Sequence, residues 1–379
     1  MKNLVLIGGG HAHAIALRLL GIESLPNVRL TLISADCETA YSGMLPGHIA
    51  GFYSREDCHI DLVKLSKFAG AKFYVDQAIA LDLQSNQVIC KNCSPVAFDV
   101  LSIDIGSTPS LPLGLASMDR LIPAKPVRYF LEQWQLLLDQ VSQQPDRPLK
   151  LGIVGGGAGG VELALNIQRR LHDLLKAAGE PLSNLTIHLL HRGSRLLAQH
   201  PNWVSDRVHQ IFHRRGVNLH LNQDVLSVQP SLLHCASGLE LDCDYIFWVT
   251  QAAAPGWLAA SGLAVEPGGF VSVSDTLQSI SHPHIFAVGD IATLVNHHRP
   301  KAGVFAVRQG KPLTHNLRRF LQGKPLQSFR PQTRYLSLIG TADGQAIASW
   351  GCLSGRSHLF WQWKDHLDRQ FMQKMNCSE

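Results

Sequence analysis

Two short apolar runs, Leu4-Val5-Leu6-Ile7 and Leu151-Gly152-Ile153-Val154, each end in a cluster of glycines and open into a stretch of helical spacing. Runs this short and this unbroken predict strands buried on both faces, as in a parallel sheet covered by helices. Alternating or apolar segments at 28–34 and 185–190 follow as the second strand of each unit. Between them, short strands near 72–75, 78–82, 88–90 and 99–103 predict a small antiparallel meander that returns to the parallel sheet. Val127, Phe130, Leu131, Trp134, Leu137, Leu138 and Val141 recur at helical spacing, and the polar, proline-containing residues 143–148 read as a linker. Further on, the pattern predicts a strand pair over 217–228 and a closing strand at 245–249. Glycine and proline after Gln251 mark the exit from that unit. A buried strand follows at 285–288, with a helix over 308–321. A hairpin turning at Asp343-Gly344 joins 335–339 to 346–350, and the last stretch, 359–375, reads as an aromatic helix.

The glycine clusters are Gly8-Gly9-Gly10-His11-Ala12-His13 and Gly155-Gly156-Gly157-Ala158-Gly159-Gly160. In a strand–turn–helix context, glycines let the backbone approach a diphosphate, and the free N–H groups and positive dipole end of the following helix hold its charge. One such turn binds one dinucleotide, so two imply two. The commonest pairing of that kind is a tightly held flavin with a diffusible nicotinamide, an electron relay.

Composition narrows the field without naming a substrate. The 379 residues allow two or three domains. Hydrophobic residues at 45% and charged residues at 17% describe a compact chain with little disorder. The net charge of +5 is spread without a dense Lys/Arg block, which argues against nucleic acid and leaves a weakly anionic membrane surface open. The N-terminal apolar run is too short for a secretion signal, and no apolar run is long enough to span a bilayer. Eight scattered cysteines fit a reducing cytosol, with peripheral attachment at the inner face of a membrane left open.

Taken in order, residues 8–13, Gly106-Ser107-Thr108-Pro109, 155–162 and Phe286-Ala287-Val288-Gly289-Asp290 resemble the flavoproteins with two dinucleotide-binding domains, among them type II NADH dehydrogenases, sulfide:quinone reductases and pyridine-nucleotide disulfide reductases. The resemblance covers nearly the whole chain. The residues 8–13, 41–47, 299–310 and Trp361-Gln362-Trp363-Lys364-Asp365 look more specifically like the oxidoreductase domain fused ahead of selenide, water dikinase, whose kinase half has no counterpart here.

That resemblance implies an α/β fold of two Rossmann-like domains, the second inserted in the first. FAD would sit on 1–120 and 256–328, and NADH or NADPH on 149–255. A linker helix at 121–148 and a C-terminal hairpin and helix at 329–379 complete the chain. It implies FAD contacts at Gly8, Gly9, Gly10, His11, Ala12, His13, Gly43, Met44, Leu45, Pro46, Gly106, Gly289 and Asp290. A helix starting over Lys301, Ala302, Gly303 and Val304 would face the pyrimidine side of the flavin, where a cation and amide N–H groups favour the anionic reduced ring. Gly155, Gly157 and Gly160 would hold the nicotinamide dinucleotide. Glu162 would position the hydride donor, and Lys301 is the second catalytic candidate.

The sequence departs from the pattern at several places. His13 stands where a third glycine is usual and where a side chain crowds helix against strand. Ser34 replaces the acid that normally ends the second strand and binds ribose, with Asp36 as the substitute. After the corresponding strand of the second unit the chain reads His191-Arg192-Gly193-Ser194-Arg195, which suits either the 2′-phosphate of NADPH or a solvated basic turn. Cys37 and Cys58 are separated by 20 residues, which excludes the closely spaced redox pair of the disulfide reductases. Cys90-Lys91-Asn92-Cys93 has zinc or redox spacing but no second pair at finger spacing, and reads as a capped turn, so no metal is expected. His297-His298 reads as a solvated loop. The C-terminal aromatic set, Phe360, Trp361, Trp363, Leu367, Phe371 and Met372, suits packing, a membrane surface or a homodimer. A quinone is the first electron acceptor to consider, with a sulfur or selenium species, or a flavin-binding module without turnover, as alternatives.

Overall fold

The computed structural model describes residues 1–109, 120–229, 232–250 and 252–376. Gln251 and Cys377 lie outside them, as does most of the segment at which the first part of the first domain was expected to end. Two five-stranded parallel sheets organise the chain. In the first, Lys2–Ile7 is central, with Val28–Ser34 and then Lys72–Val75 on one side, and Val100–Ile103 and then Ile285–Ala287 on the other. The second sheet repeats this plan with Leu149–Val154 central, Leu185–His191 and Asn218–Leu221 on one side, and Tyr245–Trp248 and Leu121–Pro123 on the other. One edge strand of the first sheet therefore arrives only after the whole second sheet has been built.

The apolar runs are buried as their pattern demands. Leu4, Val5 and Leu6 are fully buried in one core, and Leu151 and Ile153 in the other. The helix Val127–Gln143 buries Phe130, Leu131, Trp134, Leu137, Leu138 and Val141, and its rings at 130 and 134 meet Phe247 edge-on.

Several local expectations are corrected. A short strand that the pattern does not announce, His59–Asp61, pairs with Glu38–Ala40 and leads into the helix Leu62–Phe68, capped by the Asp61 side chain. The segments within 217–228 do not pair with each other. Asn218–Leu221 extends the parallel sheet, whereas Val225–Val228 turns away at Asn222 (φ +55°) into a separate antiparallel sheet. The helix expected over 308–321 starts five residues earlier, as Gly303–Leu321. The C-terminal hairpin gains a third strand, Leu353–Ser357, before the helix His358–Asn376.

The two sheets share more than a linker. The short helix Leu45–Ile49 packs on the helix Ala158–Ala178, and Ile49 is buried in the core of the second sheet.

Candidate cofactor and active site

The two glycine turns share one backbone design. Gly8 N–H donates to Ile33 O at 2.8 Å and Gly155 N–H to Leu190 O at 2.9 Å, so each turn is tied to its second strand. Both glycines have positive φ, +91° and +132°, and a side chain on either would strike the carbonyl of Asp104 or Val249. Those two residues are equivalent, each leaving the strand next to the central one: Asp104 N–H donates to Ile7 O and Val249 N–H to Val154 O, both at 2.8 Å. The helices His11–Ile22 and Ala158–Ala178 then start without a side-chain cap and without an acid in the first turn. The N–H groups at such a start are a fitting cradle for a diphosphate, although at the first helix Asp104 takes the His13 N–H.

The side chains around the two turns differ. Gly160 brings helix and strand together so closely that a Cβ would run into Gly155 O. His13 takes the equivalent place in the first turn without obstructing it. Its Nδ1–H donates to Gly8 O at 2.7 Å, which leaves Nε2 to accept from the Ser102 hydroxyl at 2.8 Å. Burial pushes the ring down to about 4, so it is neutral at physiological pH. Where the second turn has Val249, the first has Asp104, 2% exposed, whose Oδ2 accepts from His13 N–H at 3.0 Å.

Three segments converge on the first turn. The turn after Ile285–Ala287 brings Gly289, with φ +70°, and Asp290. Gly289 N–H donates to Gln309 Oε1 at 2.6 Å, and Asp290 Oδ2 accepts from Lys125 Nζ at 2.9 Å. Lys125 Nζ also reaches the Ser107 hydroxyl, next to Gly106, at 3.0 Å. The helix Gly303–Leu321, with Ala302 as its N-cap, begins so near Ser42 that a side chain on Gly303 would meet the Ser42 hydroxyl; Val304 follows in its first turn. Ser42 N–H in turn donates to His11 Nε2 at 3.4 Å. His11 lies edge-on to Tyr41 at 5.4 Å, and burial pushes its pKa down to about 4. Met44 is fully buried, and Leu45 and Pro46 open the short helix after it. Lys301 sits in the same recess as Gly289, Asp290 and Ala302. Its amine is occupied, donating to Ala292 O at 2.7 Å and Thr293 Oγ1 at 2.8 Å, and burial pushes it down to about 8.

At the outer end of the second strand, Ser34 is buried and its hydroxyl accepts from Asp36 N–H at 3.4 Å. Asp36 pairs with Arg128 at 3.3 Å. In the second unit, His191 Nδ1 accepts from Gly156 N–H at 3.3 Å, and Arg195 donates to Ala198 O at 2.8 Å. Arg192 is exposed and has no hydrogen bond or ion pair among the described residues.

Glu162, one turn into the helix after the second glycine cluster, is met by the C-terminal segment. Its Oε1 accepts from Gly340 N–H at 2.8 Å, and burial pushes its carboxyl up to about 7, against the opposing pull of Lys364. Lys364 is 8% exposed; its Nζ donates to Gly43 O at 2.5 Å and to Asp368 Oδ2 at 2.6 Å. The C-terminal hairpin thus bonds the second unit at Glu162, and the C-terminal helix bonds the loop at 41–47 of the first unit, with the charge of Lys364 acting on Glu162 between them.

Asp104, Lys125 and the pair Lys364 and Asp368 escape the sequence reading of the site, although Lys364 belongs to a motif noted there. A further one is Asp76, whose carboxylate lies with the thiols of Cys90 and Cys93 in one group of ligand atoms within 4.8 Å. Asp76 accepts from Gln77 N–H, Asn92 N–H, Asn92 Nδ2–H and Cys93 N–H at 2.7–3.0 Å, which uses its four lone-pair directions. This carboxylate clamps the turn that holds both cysteines.

The chain matches the pyridine nucleotide-disulphide oxidoreductase family over residues 2–310. It is 28% identical to the type II NADH:quinone oxidoreductase of Haemophilus influenzae over 225 residues, 58% of this chain and half the length of that relative. It is 23% identical to the NADH dehydrogenase-like protein YutJ of Bacillus subtilis over 97% of this chain and 99% of that one. The sulfide:quinone oxidoreductase structure from Aquifex aeolicus covers all of this chain and 92% of its own, with a TM-score of 0.80 and 19% identity, which establishes a common fold. The chain belongs to the pyridine nucleotide-disulphide oxidoreductase family, and is a flavin-dependent NAD(P)H dehydrogenase carrying FAD.

Proposed function

We propose that this protein is an NAD(P)H:quinone oxidoreductase in which residues 1–120 and 256–328 carry FAD, residues 149–255 bind the nicotinamide dinucleotide, and residues 329–379 cover the site between them. The observation that carries this reading is that the C-terminal segment meets both units, Gly340 bonding Glu162 at the start of the second dinucleotide helix while Lys364, whose charge acts on Glu162, bonds Gly43 in the loop beside the first. A likeness to the Haemophilus quinone oxidoreductase supports the acceptor. When bound, FAD supplies a two-electron carrier between NAD(P)H and the acceptor.

The residues of the chain do the rest. The N–H groups at the starts of His11–Ile22 and Ala158–Ala178 hold the two diphosphates, and Asp290, fixed by Lys125, offers a carboxylate to ribityl hydroxyls. The start of Gly303–Leu321 directs its positive dipole end toward the loop at 41–47. Reducing a quinone with NAD(P)H consumes one proton from outside the nucleotide. Glu162, with its carboxyl pushed up to about 7, can take up and release a proton near neutral pH, and Lys364 and Asp368 set its field. Arg192, exposed and unpaired among the described residues, supports recognition of a 2′-phosphate and so favours NADPH.

On the C-terminal helix, Leu359, Trp363 and Leu367 are 70%, 46% and 41% exposed at a spacing of four, next to exposed Trp350 and Leu353 of the preceding hairpin. No helix among the described residues is long and apolar enough to cross a membrane. The stripe supports contact with a bilayer surface, where a lipid-soluble quinone resides. Cys58, beside Tyr41, gives no support to sulfur chemistry: its thiol donates to Ser54 O, and burial pushes it up to about 12.

Anaerobic titration of the flavin absorbance with NADH and NADPH, followed by reoxidation with a quinone, tests the reading. Bleaching by NADPH and rapid recovery with quinone are expected. A flavin that bleaches but recovers only with a sulfur or selenium compound would overturn the acceptor, and one that neither nucleotide bleaches would overturn the relay.

A further inference from the structure

Asp104 places a carboxyl group where a dinucleotide's diphosphate must come. It leaves the strand Val100–Ile103 directly beneath the first helix start, and its Oδ2 accepts from His13 N–H. It cannot swing away. The backbone of Gly10 presses on one side of the carboxyl and that of Gly289 on the other, so closely that a Cβ on either would collide with it. Those glycines belong to the two segments assigned above to the cofactor, so this inference rests on the FAD reading of the first unit. The second unit supplies an internal control: at the equivalent exit from its sheet stands the apolar Val249, and the first turn of its helix carries no acid.

The charges around Asp104 do not compensate a second anion. The groups acting on it are Asp290, which is acidic, and Lys125, which already pairs with Asp290. His11 and His13, on the same helix, are held neutral by burial. Lys301, facing Asp290, donates to Ala292 O and Thr293 instead. An ionised Asp104 and a diphosphate would compete for the same N–H groups with little water between them, whereas a neutral carboxylic acid is a hydrogen-bond donor to a phosphate oxygen.

We propose that Asp104 is a cofactor-binding residue that works as a protonated acid, donating its O–H to the FAD diphosphate, so that FAD binding takes up one proton. Burial already raises the carboxyl to about 7 before any phosphate arrives. FAD affinity is therefore highest below pH 7 and weakens above it, approaching about tenfold per pH unit.

The test is calorimetric titration of FAD into the full-length, flavin-depleted protein, in buffers of different ionisation enthalpy, with fluorescence quenching for affinity from pH 6 to 9. Wild-type protein should take up close to one proton per FAD at pH 8 and lose affinity with rising pH. Asp104→Asn, which keeps the shape and a donor, should bind FAD with no proton uptake and a flat pH dependence. FAD binding to wild type without proton uptake overturns the inference and leaves the flavin reading standing. Failure to bind FAD at any pH overturns both. If the Asn variant does not fold, the proton count of the wild type decides alone.

Discussion

The two dinucleotide turns are built on one backbone and furnished with opposite chemistry. In the second, Gly160, Phe247 and Val249 leave a helix start over an apolar floor; in the first, His13, Ser102 and Asp104 form a buried polar cluster in the same places. An apolar floor suits a ligand that must come and go, because no internal bond has to be remade on each cycle. A buried polar floor suits one that stays, since a fixed cluster can be matched once to a resident group. On the proposed assignment, the difference matches a diffusible dinucleotide at the second turn and a retained one at the first.

Substitutions at matched positions can break or sharpen this contrast. The largest effect is expected at Gly160, where any side chain meets the Gly155 carbonyl. Gly160→Val should destabilise the protein by several kcal/mol, read as a large fall in melting temperature, and abolish flavin bleaching by either nucleotide. The mirror change His13→Gly removes the bonds to Gly8 and Ser102 and leaves the space of one buried ring, with no clash. It should cost about 1–3 kcal/mol while bleaching persists; equal damage at the two positions would refute the asymmetry. Next comes Val249→Asp, which gives the second turn the acid of the first. NAD(P)H affinity should fall by roughly a hundredfold at pH 8 and recover toward pH 6, as flavin reduction kinetics would report.

Glu162 has no acidic counterpart in the first helix, where Ile15 takes the equivalent place. Its carboxyl is raised from 4.5 to about 7, so quinone reduction should decline as pH rises through about 7, and Glu162→Gln should give a rate about tenfold lower and independent of pH. The same shift has a stability sign. A carboxyl raised on folding stabilises fully below its unfolded value and loses that contribution as pH climbs through the folded one. The Gln variant should therefore match wild type below about pH 4.5 and exceed it by about 3 kcal/mol above pH 7 in denaturant titrations, to within an order of magnitude. The smallest effect is expected from Arg192→Ala with Arg195→Ala, a loss of several-fold in NADPH over NADH preference. An unchanged ratio of kcat/KM would refute the 2′-phosphate reading.

Most strands of both sheets were legible because a strand covered on two faces is apolar, and the turns because only glycine fits Gly8 and Gly155; the edge strand Leu121–Pro123 fell within the stretch read as a linker helix, which begins only at Val127. What escaped notice shares a different property. Asp104 follows a buried strand, where an acid looks like the strand's emergence into solvent, and only the close approach of Gly10 and Gly289, from before and far after it in the chain, shows that it stays inside. Lys364 and Asp368 have the spacing of an ordinary surface ion pair on a helix. Their burial is decided by residue 43, far away in sequence. The third C-terminal strand, Leu353–Ser357, carries serine, glycine and arginine, and its pairing comes from Ala346–Trp350 rather than from its own pattern. Local chemistry announces elements, and nonlocal burial decides which polar groups become functional.

The burial of Ile49 has a last consequence for how this protein can be divided. A residue from the first dinucleotide unit completes the core of the second, so cutting the chain between them would put Ile49 in water and leave a gap beneath the helix Ala158–Ala178. The two units should melt together in a single transition, and neither should persist as a stable fragment. Evolution or engineering that exchanges one nucleotide unit for another must carry the Leu45–Ile49 helix along with it.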